Sequence, residues 1–144
     1  MTEVAFHLGA ADKWGYACRL LRKAVHKGSR VVVAGDPEAL LRLSHGLWAI
    51  SATDFVAHCL VPCDATVLAA SPVVLCAAPQ AAPHHQALLN LGDGVPAGFE
   101  RFERLIEVVG TDDSDLANAR TRWKHYRARG YAITRHEIAP REIH

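Results

Sequence analysis

Apolar positions along the chain switch between two spacings. Residues 3–8 alternate and then run apolar, as a strand does, and residues 30–34 carry the unbroken run Val31, Val32, Val33 of a strand buried on both faces. Between them Trp14, Ala17, Cys18, Leu21 and Val25 recur at helical spacing. That spacing predicts a helix capped by Asp12 and stopped by Gly28. Asp36 followed by Pro37 is a cap plus a first-turn proline, and opens a second helix to about Gly46. Residues 55–61, 73–78 and 87–91 read as further strands, punctuated by Pro62 and Pro72. The segment PQAAPHH over 79–85 is the nearest thing to a mobile loop, and Gly92-Asp93-Gly94 is a turn. Phe99 to Leu105 reads as a short helix, Ile106 to Val109 as a strand, and Tyr131 to Thr134 as a last strand. From His136 onward the tail is expected to be loosely held.

Strands that alternate with helices imply one three-layer α/β domain over residues 1–144, with a mostly parallel central sheet. The chain is long enough for a real core, and its hydrophobic share of 50% is that of a globular protein. No apolar run approaches the roughly 20 residues of a membrane span. The start of the chain lacks a basic, apolar, small-residue signal pattern. The four cysteines follow no disulfide framework. The expectation is a reduced, cytoplasmic protein.

The most informative stretch is TDDSDLANARTRWKHYRARGY, residues 111–131. Thr111, Asp112 and Ser114 can each cap a helix, acidic residues suit its start and basic ones its end, and Gly130 is a stop. At helical spacing Leu116, Ala119, Trp123, Tyr126 and Gly130 share a stripe. Arg120, Lys124 and Arg127 border it on one edge, Arg122 and Arg129 on the other, and His125 faces away. The wheel therefore predicts a core stripe between two exposed basic rails, with Arg122 replaceable at little expense to folding. An ordinary amphipathic helix with snorkelling arginine stems fits the same pattern. Cations beside aromatics suit an anionic partner that carries a ring: a nucleic acid, or an acidic peptide ending in an aromatic residue.

Charge narrows that choice. The formal net charge is only +1, from 16 Lys and Arg against 15 Asp and Glu. Yet Arg120, Arg122, Lys124, Arg127, Arg129, Arg135 and Arg141 all follow residue 116, with only Glu137 and Glu142 opposing them. A general nucleic-acid binder is more basic overall, so one local patch points to a small anionic partner.

Motifs for chemistry are missing. The chain contains neither a G-x-x-x-x-G-K-[ST] loop nor G-x-G-x-x-G, so the fold expected is Rossmann-like without a phosphate-binding loop. Cys59 and Cys63 with His58, or the pair His84 and His85, lack the second ligand pair of a zinc site, and buried cysteines explain them more simply. Asp112, Asp113 and Asp115 are explained by capping. No catalytic residue, cofactor or metal is expected.

The string RTRWKHYRARGY from Arg120 to Tyr131 resembles the C-terminal signature of the chi subunit family of bacterial DNA polymerase III. Other blocks fit in the same order: Val4 to Leu8, Gly28 to Ala34, Leu47-Trp48, and Phe55-Val56-Ala57-His58-Cys59-Leu60. The middle, about residues 62–105, matches loosely. The resemblance implies a non-catalytic replisome adaptor. Such a protein would grip the acidic, Phe-ended C-terminal tail of single-stranded DNA-binding protein and link it to the clamp loader, contacting DNA only indirectly. Arg120, Lys124 and Arg127 would then pair with the tail's carboxylates, and Val109, Trp123 and Tyr131 would border a socket for its ring. Trp48, Phe55 and Val56 match the segment that faces a psi subunit, which makes Trp48 and Phe55 an expected exposed patch. Ala57 stands where the family often has proline, and Trp123 where it often has tyrosine. Two rival readings stay open: direct binding of single-stranded nucleic acid through the basic, aromatic face, and an enzyme using the end of the sheet.

Overall fold

Parallel strands must be joined by crossovers, and helical segments supply four of the six described between successive strands. The computed structural model describes residues 1–49, 58–61, 63–79 and 82–138. Among these, β1 (Glu3–Ala10), β2 (Val31–Ala34), β3 (His58–Leu60), β4 (Val73–Leu75), β5 (Ala87–Asn90), β6 (Arg104–Gly110) and β7 (Ile133–Glu137) form one sheet. Its order is β3-β4-β2-β5-β6-β1-β7, and every neighbouring pair runs parallel. Helices α1 (Lys13–His26), α2 (Pro37–Ala49), α3 (Ala65–Ala70) and α4 (Asp113–Ala128) complete an α/β domain.

Handedness assigns the helices to faces. α1 and α2 carry the chain toward the β3 edge and α3 and α4 carry it back, so right-handed crossovers put the two sets on opposite faces. The core divides accordingly. Leu21, Leu40, Leu43 and Leu47 pack with Val31, Val33 and Leu89 on one side. Phe6, Val32, Leu88, Leu105, Val109 and Tyr126 pack on the other. Successive residues of β2 thus point into different cores, which is why its apolar run is unbroken.

Several boundaries differ from the expectation. α2 continues past Gly46 to Ala49, because Leu47 extends the buried stripe of Leu40 and Leu43. Gly46 is not a stop but a close approach: a Cβ there would meet the Cys18 sulfur on α1 at 3.0 Å. α3 was not foreseen; it is one short helix whose cap, Asp64, accepts from the Thr66 amide. Instead of a helix over 99–105 there is a single 3₁₀ turn, Phe99–Arg101, and β6 already starts at Arg104. There it finds partners on both sides, Glu3 of β1 and Ala87 of β5. The chain does not loosen at His136. β7 runs through Glu137, and the Ile138 amide donates to the Leu8 carbonyl at 2.9 Å. Gly130 does end the last helix, at φ +80°. The expected strand residues 55–57 lie outside the described residues.

Candidate functional site

The face that α4 turns to the sheet is set by a buried carboxylate. Glu107 sits in the middle of β6, fully enclosed, between Ile106 and Val108. An isolated carboxylate there would be prohibitive, so it must be paired and hydrogen-bonded. Arg122 does this, with Nε donating to Glu107 Oε1 at 3.0 Å and Nη1 donating to the Asp93 carbonyl at 2.7 Å. Asn90 Nδ2 donates to Glu107 Oε1 at 2.9 Å, and the Tyr126 hydroxyl donates to Oε2. Asn90 also donates to the Gly94 carbonyl and accepts from the Gly92 amide, so the network ties the turn after β5 to α4. Burial pushes the Glu107 carboxyl up, with Arg122, Tyr126 and Asn90 opposing that rise. The Tyr126 hydroxyl is driven well above its ordinary range, first by burial and then by Glu107.

This overturns the expectation for Arg122. It is 1% exposed, and the helix face against the sheet is Asp115, Ala119, Arg122 and Tyr126. The hydrophobic stripe is therefore rotated, and Leu116 and Trp123 lie half-buried on its flank. A signal existed in the sequence: Glu107 interrupts an apolar strand run with a charge that needs a buried partner.

The rotation opens a groove. Phe6 and Leu8 of β1, Leu116, Ala119, Arg120 and Trp123 of α4, and Arg135 of β7 line a depression of about 350 Å³. Trp123 stacks obliquely on Phe6, ring centres 5.0 Å apart, and Arg120 is exposed at the rim. The arrangement offers an apolar slot with guanidinium groups beside it, which suits a ring bearing a nearby carboxylate.

Of the residues singled out in the sequence, Arg120 and Trp123 meet in this groove. Val109 does not: it is completely buried beneath α4, because it faces the sheet side that the helix covers. The apolar wall is made by Phe6, Leu8 and Leu116 instead, and nothing in the helix motif could reveal strand partners brought in by the fold. Tyr131 packs at the far end of α4, 5.2 Å from the Phe99 ring, and does not line the groove. Lys124 and Arg127 are exposed farther along α4 and do not line it either. Trp48, at the end of α2, is 64% exposed, its ring 5.8 Å from that of His58. Leu41, two turns earlier on the same helix face, is also exposed. Phe55 and Val56 lie outside the described residues.

Elsewhere the structure speaks to the other candidates. The crossovers that leave β1 and β6 run in opposite directions across the sheet, the kind of switch point where open α/β sheets bind ligands at the C-terminal ends of their strands. Carboxylates occupy that position here. Asp12 accepts from the Gly15 amide at 3.0 Å, and Asp115 accepts from the Gly110 amide at 2.6 Å and pairs with Lys13 at 3.2 Å. Amides that would cradle a phosphate thus already hold carboxylates. Gly15 permits this, since a Cβ there would fall on the Asp12 carboxylate.

Among the described residues no group of three His, Cys, Asp or Glu is placed to hold a metal ion, and no helix is long and apolar enough to cross a membrane. Cys18, Cys59 and Cys76 are buried while Cys63 is exposed, and burial pushes the Cys18 and Cys59 thiols up to about 11. A thiol reagent at neutral pH should therefore label Cys63 at once and the other three only on unfolding. Absorbance titration with a chromogenic disulfide checks this, and rapid labelling of more than one thiol would contradict it.

Comparison with known proteins agrees with the motif. The family model described as "DNA polymerase III chi subunit, HolC" matches residues 1–134. The DNA polymerase III subunit chi of Pseudomonas aeruginosa is 29% identical over 143 residues, covering 96% of this chain and 98% of the relative. That of Haemophilus influenzae is 25% identical over 123 residues, covering 85% of each.

Proposed function

Starting from the chain's membership of the DNA polymerase III chi subunit family, a family of the replication machinery, we propose that it is a non-catalytic adaptor. It binds the acidic, Phe-ended C-terminal tail of single-stranded DNA-binding protein and links that protein to the clamp loader. The groove between α4 and the β1–β7 edge carries this reading. Its slot of Phe6, Leu8, Leu116 and Trp123 takes the terminal phenyl ring, and Arg120 takes the carboxylate beside it. Lys124 and Arg127 follow Arg120 at one and two turns along the helix, where they attract the acidic residues upstream of the ring. A short tail makes few contacts, so affinity is modest and falls with salt, and several tails on one oligomeric partner compensate.

The test is a pull-down at moderate salt with full-length and tail-truncated single-stranded DNA-binding protein. Capture of only the full-length form is expected. Equal capture of both forms, or efficient competition by a naked oligonucleotide, would favour direct nucleic-acid binding instead.

A second contact surface is centred on Trp48. An indole this exposed is unusual for a monomer's surface and typical of an interface anchor. Its role is to hold a psi-type subunit. Trp48→Ala should leave the melting temperature nearly unchanged, because exposed positions shift stability by no more than about 0.5 kcal/mol. It should abolish co-purification with psi while sparing tail binding. Co-purification of the variant at the parent level would remove Trp48 from the interface.

A further inference from the structure

We propose that Arg135 is a second carboxylate-binding residue of the groove, and that Glu137 occupies its guanidinium in the free protein as an internal competitor. The inference rests on the tail-binding reading and concerns how the same site is gated. Its basis is the register of β7. Ile133, Arg135 and Glu137 align with Val4, Phe6 and Leu8 of β1, so all face the α4 side of the sheet. Arg135 thereby lines the groove opposite Arg120, one cation on the strand wall and one on the helix wall. A carboxylate has about four acceptor positions over its two oxygens, and two guanidinium groups from opposite walls serve more of them than one can.

The structure contains a carboxylate beside this guanidinium already. Glu137 Oε1 lies 3.0 Å from Arg135 Nη2, with the two side chains 69% and 62% exposed. The contact shows that the fork of Arg135, a residue lining the groove, is within reach of an acid. Such exposed pairs are weak, so a ligand carboxylate with an aromatic anchor displaces Glu137, at the expense of part of its own affinity. Glu137 therefore sets a threshold: it rejects anions that bring no ring. Arg135 lies outside the basic helix motif, which is why the sequence pattern did not point to it.

Isothermal titration of the full chain with a synthetic acidic peptide ending in Phe, at low salt, tests the idea. Arg135→Ala should weaken binding about tenfold. Glu137→Gln should tighten it about two- to fivefold, and should have no effect when combined with Arg135→Ala. Thermal melts of each variant confirm that folding is intact. If the parent binds and Arg120→Ala weakens binding while Arg135→Ala does not, the two-walled clamp is refuted and the tail-binding reading stands. If Glu137→Gln tightens binding equally with and without Arg135, general charge is at work and the competitor role is refuted. A parent protein that binds no peptide overturns the tail-binding reading and this inference with it.

Discussion

Arg122→Ala is expected to be severely destabilising, although the residue sits among solvent-exposed arginines in the sequence. The substitution leaves Glu107, which is 0% exposed, without its cation, and removes the link from α4 to the Asp93 carbonyl. Breaking a buried pair by removing one partner costs about 3–5 kcal/mol. For a domain of this size that lowers the melting temperature by roughly 10 °C or more. Arg120→Ala, at an exposed position, should melt with the parent. Arg122→Lys should rescue only part of the loss, since a point ammonium cannot serve Glu107 and Asp93 together as the planar fork does. Replacing both partners, Glu107→Leu with Arg122→Met, should be less damaging than Arg122→Met alone, because no buried charge is then stranded. Calorimetric melts of the set decide it. An Arg122→Ala protein as stable as the parent would mean that the network contributes nothing.

The contrast between Arg122 and Arg120 shows what the sequence made legible. The parallel sheet was readable because Val31, Val32 and Val33 must serve two cores, and because the first two apolar runs are each followed by a capped helix, started by Asp12 and by Asp36. Local rules failed where a tertiary partner decides. Gly46 reads as a stop, but it accommodates the Cys18 sulfur. His136 reads as a loose tail, but β1 offers it a free edge. Helical spacing alone put Trp123 in the core and Arg122 outside it. A buried acid two strands away in the sheet order from the β7 edge turned the helix the other way.

The same rotation explains how much of the site was visible. Arg120 and Trp123 were legible as candidates because both lie in one recognisable string on one helix, and the fold brings them to the same groove. Phe6 and Leu8 were not legible as groove residues, since they come from the opposite end of the chain and look like ordinary strand residues. Val109 drops out of the groove lining for a related reason: it aligns with Leu8 across the sheet, but α4 lies over it, and the strand's own sequence gives no sign of where that helix sits. Had Arg122 been exposed, Trp123 would sit deeper and no slot would remain between α4 and Phe6.

Arg120→Ala should weaken binding of an acidic, Phe-ended peptide by about 1.5–3 kcal/mol, the range for hydrogen bonds to a charged partner. That corresponds to roughly ten- to 150-fold in Kd. The position explains the size. Arg120 lines the groove beside the apolar slot, where a ligand's ring would exclude water and an ion pair would be less screened. Lys124→Ala and Arg127→Ala remove exposed charges farther along the helix, so each should cost no more than about 1 kcal/mol and mostly below 0.15 M salt. Trp123→Ala removes the wall that stacks on Phe6, and should cost as much as Arg120→Ala while leaving the salt dependence unchanged. Isothermal titration at two ionic strengths separates these effects. Equal losses at Arg120, Lys124 and Arg127, all vanishing in high salt, would mean diffuse attraction by a basic helix rather than a slot that reads a ring and a carboxylate together.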